Sequence, residues 1–247
     1  MKITVFGASG LIGSQVTALL TAAGHEVVGA SLSTGANVLT GEGLAEAVDG
    51  ADVLIDLTNS PSFADEAVLA FFTTSSTNLV EAARAAGVVH YVALSIVGCD
   101  GLPDSGYMRA KVAQERIITE SGLPHSIVRA TQFHEFAGAI TDSLLSGDEI
   151  HAPAGRIQPI ASADVAAEVA AVAQKPPLDG LVNIGGPDKI DFADMARAVV
   201  AQRGTDVTVV VDPAATYFGT GVGQDSLVTG PDAVLAPTRF ADWLATR

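Results

Sequence analysis

The chain has 247 residues, of which 48% are hydrophobic and 17% are charged, and its formal net charge at pH 7 is −15. This composition argues against a disordered chain and is typical of one large α/β domain or of one domain with a smaller appendage. The strong negative charge opposes binding to nucleic acid and to anionic lipid. Because no apolar run is long enough for a membrane span and no signal-peptide pattern is seen, we expect a soluble, cytoplasmic protein with no membrane partner.

The amino-terminal segment predicts a strand, a glycine-rich turn and a helix. Residues 3–6, Ile-Thr-Val-Phe, predict the strand, and the apolar residues from Leu11 to about Ala23 recur at helical spacing. The turn between them contains Gly7, Gly10 and Gly13. Such a turn directs backbone N–H groups and the positive end of a helix dipole to one point, and the missing side chains let a pyrophosphate come close.

The context of this turn favours dinucleotide binding over a purely structural tight turn. Residues 24–30 supply a helix stop and a second strand, which completes a βαβ unit. The cofactor-binding residues expected here are Gly7, Ser9, Gly10, Leu11, Ile12 and Gly13.

Strands and helices continue to alternate along the chain. Further strands are predicted at 51–57, 88–95, 124–129, 157–160, 181–184 and 207–211, and helices at 41–49, 65–86, 107–121, 136–145, 164–173, 192–202 and 238–245. Repeated β-then-α order implies right-handed crossovers, so the predicted fold class is α/β, a Rossmann-type doubly wound parallel sheet with a small C-terminal substrate lobe. The predicted Rossmann domain covers 1–175, with 181–184 joining its sheet, and the predicted substrate-binding lobe covers 146–156 and 176–247.

Three residues suggest catalysis. Ser95 ends the fourth predicted strand, and Tyr107 and Lys111 lie four positions apart, on neighbouring turns of one helix. A phenol with an ordinary pKa of about 10 needs a nearby positive charge to act as a general acid or base, and Lys111 can provide that charge. Ser95 would then hold the substrate oxygen. In the alternative interpretation, Tyr107 begins an ordinary amphipathic helix, Lys111 lies on its solvent face and Ser95 merely ends a strand.

These motifs resemble a known family. The turn at 7–13, Ser95 and the segment 107–111 resemble the atypical short-chain dehydrogenase/reductases, in particular their NmrA-like, NAD(P)-binding branch, as do segments 123–133 and 159–166. The resemblance covers about residues 1–200. It implies a Rossmann domain, an NAD or NADP cofactor, and Tyr107 with Lys111 acting on a carbonyl or hydroxyl carbon beside the transferred hydride.

The resemblance also assigns cofactor contacts outside the glycine turn. Thr58 and Asn59 would line the adenosine and phosphate side, Thr131, Gln132 and Phe133 would flank the nicotinamide, and Lys111 would bond the ribose. The second strand ends without the acidic residue that binds a ribose diol or the arginine that binds a 2′-phosphate. Ser31 and Ser33 can bond a diol, whereas a phosphate would lack a cation, so the sequence favours NAD over NADP.

Candidate substrate-pocket residues are mainly aromatic and would suit a flat substrate such as a quinone or a polycyclic ketone. They are Phe63, Phe133, His134, Phe136, Tyr217 and Phe218, with Arg109 or Arg156 as candidate cations. Core packing is the alternative use of each phenylalanine. No histidine has metal-ligand spacing, so no metal is expected.

The motifs and the resemblance leave three functions open, of which the second and third are implied by the resemblance alone. The first is an NAD(P)(H)-dependent oxidoreductase acting on a carbonyl, quinone or polycyclic aromatic substrate by hydride transfer. The second is an NmrA-like redox sensor without turnover, and the third a polyketide-tailoring enzyme, either a quinone or hydroquinone monooxygenase or its reductase partner. The presence of Tyr107 and Lys111 favours an enzyme. The expected partner is a small-molecule substrate, and homo-oligomer formation is left open.

Overall fold

A computed structural model describes all residues from 1 to 247. The helices are α1 Leu11–Ala22, α2 Leu44–Val48, α3 Asp65–Ala86, α4 Gly106–Glu120, α5 Ala137–Ser143, α6 Ser162–Ala173, α7 Phe192–Arg203 and α8 Phe240–Leu244. The strands are β1 Lys2–Phe6, β2 Glu26–Ala30, β3 Val53–Asp56, β4 His90–Ile96, β5 His125–Ala130, β6 Leu145–Ser146, β7 Glu149–Ala152, β8 Arg156–Ile157, β9 Gly180–Gly185, β10 Ile190–Asp191, β11 Thr208–Val211 and β12 Val234–Leu235. None of the helices combines the length and the apolar character needed to cross a membrane.

The main sheet has seven strands in the order β12-β9-β5-β4-β3-β1-β2. Strand β1 pairs in parallel with both β2 and β3, so that Val5 lies opposite Gly29 on one side and Ile55 on the other. The chain moves outward from β1 to β2 and then crosses back to β3. Strand β1 therefore ends at the point where the winding direction reverses, which is where open α/β sheets bind ligands. The predicted doubly wound α/β fold is confirmed.

The core explains why these strands form a parallel sheet. Phe6, Leu54 and Tyr91, from β1, β3 and β4, are fully buried in one cluster with Leu79 of α3 and Ile118 of α4. Strands covered on both faces need apolar side chains on both faces, which accounts for the continuous apolar runs in the sequence.

By packing, the chain divides into two compact units. The first unit comprises 1–95, 106–129 and 165–182, and the second comprises 96–105, 130–164 and 183–247. The boundaries of these units differ from the domain boundaries predicted from the sequence. The division into a cofactor-binding domain and a substrate-binding lobe stays a prediction.

The second unit contains two small sheets that the sequence did not predict. One has the order β11-β7-β6 and the other pairs β10 with β8. The predicted strand at 157–160 shortens to β8, which runs antiparallel to β10 and lies outside the main sheet. Pro159 has no amide hydrogen to donate to a strand neighbour, so the segment does not continue as a regular strand.

Candidate active site

The glycine turn after β1 is held by contacts that leave no room for side chains. Gly7 has φ +77°, and a Cβ atom built on it would lie 2.6 Å from the carbonyl oxygen of Leu57. A Cβ atom on Gly13 would lie 2.1 Å from the carbonyl oxygen of Gly7. The amide of Gly10 donates to that same oxygen at 3.0 Å. The turn therefore requires glycine at positions 7 and 13, for conformation and for space.

Helix α1 presents free amides at this turn. It begins at Leu11, its N-cap residue Gly10 has no capping side chain, and its first turn has no acidic residue. The amides of Leu11, Ile12 and Gly13 have no carbonyl partner inside the helix. Ser9, Gly10 and Leu11 are exposed. A phosphate is stabilised at such a position by the N–H groups and the helix dipole, without a basic side chain.

Residues 30–41, which begin at the end of β2, contain no charged side chain. The hydroxyl oxygens of Ser31 and Ser33 lie 2.8 Å apart, and the amide of Ser31 donates to Thr34 Oγ1 at 2.9 Å. Ser31 and Ser33 thus bring two hydroxyl groups together and add no cation.

Tyr107 lies in the first turn of α4, next to the start of α3. The two helices approach so closely that a Cβ atom on Gly106 would lie 2.9 Å from Cα of Asp65. The Tyr107 hydroxyl donates to Asn59 Oδ1 at 2.9 Å, and the rings of Tyr107 and Phe63 are 5.4 Å apart. The structure therefore brings together a predicted catalytic residue, a predicted cofactor residue and a predicted substrate residue.

Burial raises the pKa of Tyr107 to about 12. Taking a phenolate out of water is unfavourable, so the neutral form is favoured. At neutral pH Tyr107 is a protonated phenol, which is the form of a general acid.

Lys111 lies one turn further along α4, and its side chain is 4% exposed. Its Nζ donates to the carbonyl oxygen of Leu94 at 2.8 Å and to Oε1 of Gln114, and lies 4.4 Å from the centre of the Phe72 ring. The alternative interpretation, in which Lys111 lies on the solvent face of its helix, is therefore wrong. The lysine is a buried cation fixed by two oxygens and an aromatic face.

The sequence did not single out Gln114, which bonds Lys111, or Asp56, which bonds Gln114. The Nε2 group of Gln114 donates to Oδ2 of Asp56 at 2.8 Å. Tyr91 donates to the same carboxylate oxygen at 3.1 Å, and the amide and hydroxyl of Thr58 donate to Oδ1 at 3.0 and 2.7 Å. The spacing held a signal for one of them, since Gln114 follows Tyr107 by seven positions and Lys111 by three, on the same helix face.

Ser95 is buried near the end of β4, directly after Leu94, whose carbonyl binds Lys111. Its hydroxyl has no hydrogen-bond partner within the protein. A buried hydroxyl without a partner is uncommon in folded proteins and leaves one donor and one acceptor available for a ligand oxygen.

In the second unit, Thr131 and Gln132 follow β5 with a fixed backbone and unpaired side chains. The amide of Thr131 donates to the Ile184 carbonyl at 3.1 Å, and the Gln132 carbonyl accepts from the amide of Ile160 at 3.0 Å. In contrast, Thr131 Oγ1 and both amide atoms of Gln132 are buried without partners.

Ring contacts group the other predicted substrate residues within the second unit. Phe133 stacks on Phe136 at 5.4 Å, and Tyr217 meets Phe218 at 4.8 Å. His134 is only 1% exposed, and its neighbours are two aromatic residues of α8, Phe240 and Trp243.

The candidate cations both face acidic groups. Arg109 pairs with Asp65 at 2.7 Å, and Arg156 pairs with Asp225. No three His, Cys, Asp or Glu side chains come together in an arrangement that could hold a metal ion.

Sequence and structure comparisons agree on the kind of protein this chain resembles. A family described as NAD(P)H-binding matches residues 7–176. A comparison with curated proteins finds no match.

Three similar solved structures cover nearly the whole chain. A short-chain dehydrogenase/reductase superfamily protein from Agrobacterium tumefaciens with bound NAD is 19% identical, with a TM-score of 0.75 over 100% of this chain and 96% of that chain. MoeE5 in complex with UDP-glucose and NAD is 19% identical, with a TM-score of 0.73 over 100% and 97%. A dTDP-4-dehydrorhamnose reductase from Clostridium acetobutylicum is 18% identical, with a TM-score of 0.70 over 98% and 92%. At these identities the likeness shows a shared fold.

Proposed function

The chain belongs to the NAD(P)H-binding family, and from this premise we propose that it is an atypical short-chain dehydrogenase/reductase and an oxidoreductase that reduces a carbonyl or quinone group. The observation that carries the proposal is the protonated, half-buried phenol of Tyr107 one helical turn from the buried ammonium of Lys111. Both side chains lie on the face of α4 that meets α3.

The glycine turn fits a dinucleotide. Its backbone leaves no room for side chains at positions 7 and 13, and the first turn of α1 offers free amides. Bound NAD(P)H would supply the hydride. We propose NAD as the cofactor because Ser31 and Ser33 provide hydroxyl partners for a ribose diol and no cation lies in residues 30–41 for a 2′-phosphate.

Each catalytic residue then has one task. The unpartnered hydroxyl of Ser95 binds the substrate oxygen, and Tyr107 donates its proton to that oxygen. The positive charge of Lys111 stabilises the phenolate left behind, and Asn59 holds the Tyr107 hydroxyl in place. Because a pKa of about 12 keeps Tyr107 protonated at neutral pH, the phenol starts the reaction as the proton donor, and reduction is the proposed direction.

The proposed substrate is a planar quinone or polycyclic ketone. Phe63 supports this class, because its ring is 67% exposed and lies against Tyr107, where it can pack on a flat molecule. The substrate-binding role of the aromatic residues in the second unit stays a prediction. The assignment to the NmrA-like branch stays a prediction as well.

The test is a turnover assay that follows the absorbance of reduced nicotinamide with a panel of quinones, polycyclic ketones and aliphatic ketones. We expect Tyr107→Phe to lower kcat at least about 100-fold, the low end of a general acid contribution. Calorimetry should find unchanged NADH affinity in the variant, which shows that its cofactor site is intact. Unchanged turnover would contradict the proposed role of Tyr107.

The same assay separates the alternative functions. A redox sensor would bind NADH and show no turnover with any member of the panel, and a monooxygenase would consume oxygen during turnover. The half-buried acid Tyr107 and the buried cation Lys111 on α4 favour the reductase, since a sensor needs neither.

A further inference from the structure

Asp56 is a buried carboxylate that connects to both proposed catalytic side chains through neutral groups. It lies at the carboxyl end of β3, is 1% exposed, and accepts hydrogen bonds from Tyr91, Gln114 and Thr58. Four donors therefore satisfy its two oxygens. A buried carboxylate is costly without such partners, so the position of Asp56 depends on all four of these bonds.

One branch leads from Asp56 to Lys111. A carboxylate only accepts hydrogen bonds and an ammonium only donates them, so the Gln114 amide between them has one compatible orientation. Its NH2 group faces Asp56 and its oxygen faces Lys111. The side chain of Gln114 is 1% exposed, so water does not compete for these bonds.

The other branch leads from Asp56 to Tyr107. The two bonds from Thr58 fix the chain just after β3, and the next residue is Asn59. Asn59 Oδ1 accepts both the amide of Ser60 and the hydroxyl of Tyr107. One carboxylate thus anchors the partner of the phenol and the partner of the ammonium.

We propose that Asp56 and Gln114 are positioning residues that hold Lys111 and Tyr107 in register for proton donation. The inference rests on the proposed function and extends it to two residues with no assigned role. It also predicts a coupling that runs through the Gln114 amide. In Asp56→Asn the new NH2 group opposes a donor in either orientation, Gln114 Nε2 on one side or the Thr58 amide on the other. If it faces Gln114 and the Gln114 amide turns to accept it, a donor faces Lys111.

The test compares Gln114→Met, which keeps the length of the side chain but forms neither bond, with Asp56→Asn. In each variant we expect kcat to fall about 10-fold to 100-fold, the cost of a misplaced catalytic group, with KM changed by less than about 2-fold. Both changes break the same chain of bonds. The kcat of the double variant should therefore be no more than about 3-fold below that of the less active single variant.

A second measurement needs no substrate. Spectra of ¹⁵N-lysine-labelled protein detect ammonium groups whose protons exchange slowly, as those of a buried, bonded Lys111 should. The signal is assigned by its loss in Lys111→Met. It should be present in the unaltered protein and absent in Gln114→Met and Asp56→Asn. Glu115→Gln is the matched control, because Glu115 neighbours Gln114 on α4 but pairs with Arg129 at 2.6 Å.

The outcomes distinguish the inference from the function it extends. If Tyr107→Phe abolishes turnover while Gln114→Met keeps the original kcat and the ammonium signal, the positioning role is overturned and the reductase stands. If Tyr107→Phe leaves turnover unchanged, the proposed reaction fails, and the ammonium signal still decides whether Asp56 and Gln114 hold Lys111. Additive losses in the double variant would also contradict the coupling.

Discussion

Two groups of buried polar residues, one in each unit, differ in their hydrogen bonding. In the first unit, Asp56, Gln114 and Lys111 satisfy one another in a continuous network. In the second unit, Thr131 and Gln132 have a fixed backbone but buried side-chain atoms without partners. A satisfied network holds its members in place, whereas an unsatisfied buried group costs about 1 to 3 kcal/mol and retains its capacity to bind. The difference separates polar groups that build the fold from those that keep binding capacity.

The largest expected effect is at the glycine turn. Gly13→Ala places a methyl group 2.1 Å from the Gly7 carbonyl oxygen, so backbone must move and the amides of the turn lose their alignment. We expect NADH affinity to fall at least about 100-fold, equivalent to about 3 kcal/mol, measured by calorimetry. Gly101→Ala is the control, since a Cβ atom there meets nothing within 4 Å. Unchanged affinity in Gly13→Ala would show that the turn does not bind the cofactor.

The next effect is on the free energy of unfolding, which should change in opposite directions when each of two buried glutamines of the second unit is replaced by leucine. Gln158 is fully paired, with Nε2 donating to Gly186 at 2.7 Å and Oε1 accepting from the amide of Thr229 at 2.8 Å. Gln158→Leu should lower the free energy of unfolding by about 2 kcal/mol, because two backbone groups lose their partners. Gln132→Leu should raise it by about 1 kcal/mol, because no partner is lost.

Denaturant unfolding of both leucine variants measures this difference. Gln132→Leu should also weaken NADH binding about 10-fold, as expected if its amide serves the cofactor. A Gln132→Leu protein that is destabilised as much as Gln158→Leu would mean that Gln132 belongs to the fold, and the contrast between the satisfied network at Asp56 and the unpaired Gln132 would fail.

The smallest expected effects concern pH. In the first unit, burial raises the pKa of Tyr107 to about 12 and that of Tyr91 well above its usual range. The folded state keeps protons that the unfolded chain releases near pH 10, so stability is lost as pH rises above about 10. Tyr91→Phe should flatten this alkaline loss, as measured by denaturant unfolding between about pH 8 and 11.

In the second unit, burial lowers the pKa of His134. The unfolded chain then binds a proton more readily, so stability is lost as pH falls below the usual histidine value of about 6.5. His134→Leu should reduce the acid loss. His90 of the first unit has a pKa lowered by burial as well, so His90→Leu is the comparison variant. An acid loss that neither variant changes would have to arise from carboxylates.

Local patterns predicted most of the regular elements well. The helix predicted at 65–86 has those bounds in the structure, because an apolar stripe with acidic residues in its first turn and Gly87 after its end signals both limits. The short strands β6, β7, β10 and β12 were not predicted. Each is two to four residues long and exists only through pairing with a distant partner, which no local period can reveal.

The sequence by itself determined the parallel sheet, the glycine turn and the placement of Tyr107 and Lys111 on one helix face, because each depends on spacing within a single element. Only the tertiary structure decided that Lys111 is buried and that Gln114 joins Lys111 to Asp56. Asp56 and Gln114 are 58 positions apart in the chain. The physical reason is that a buried charge is stabilised by whichever polar groups the fold brings to it, and those groups come from strands and helices that are remote in sequence.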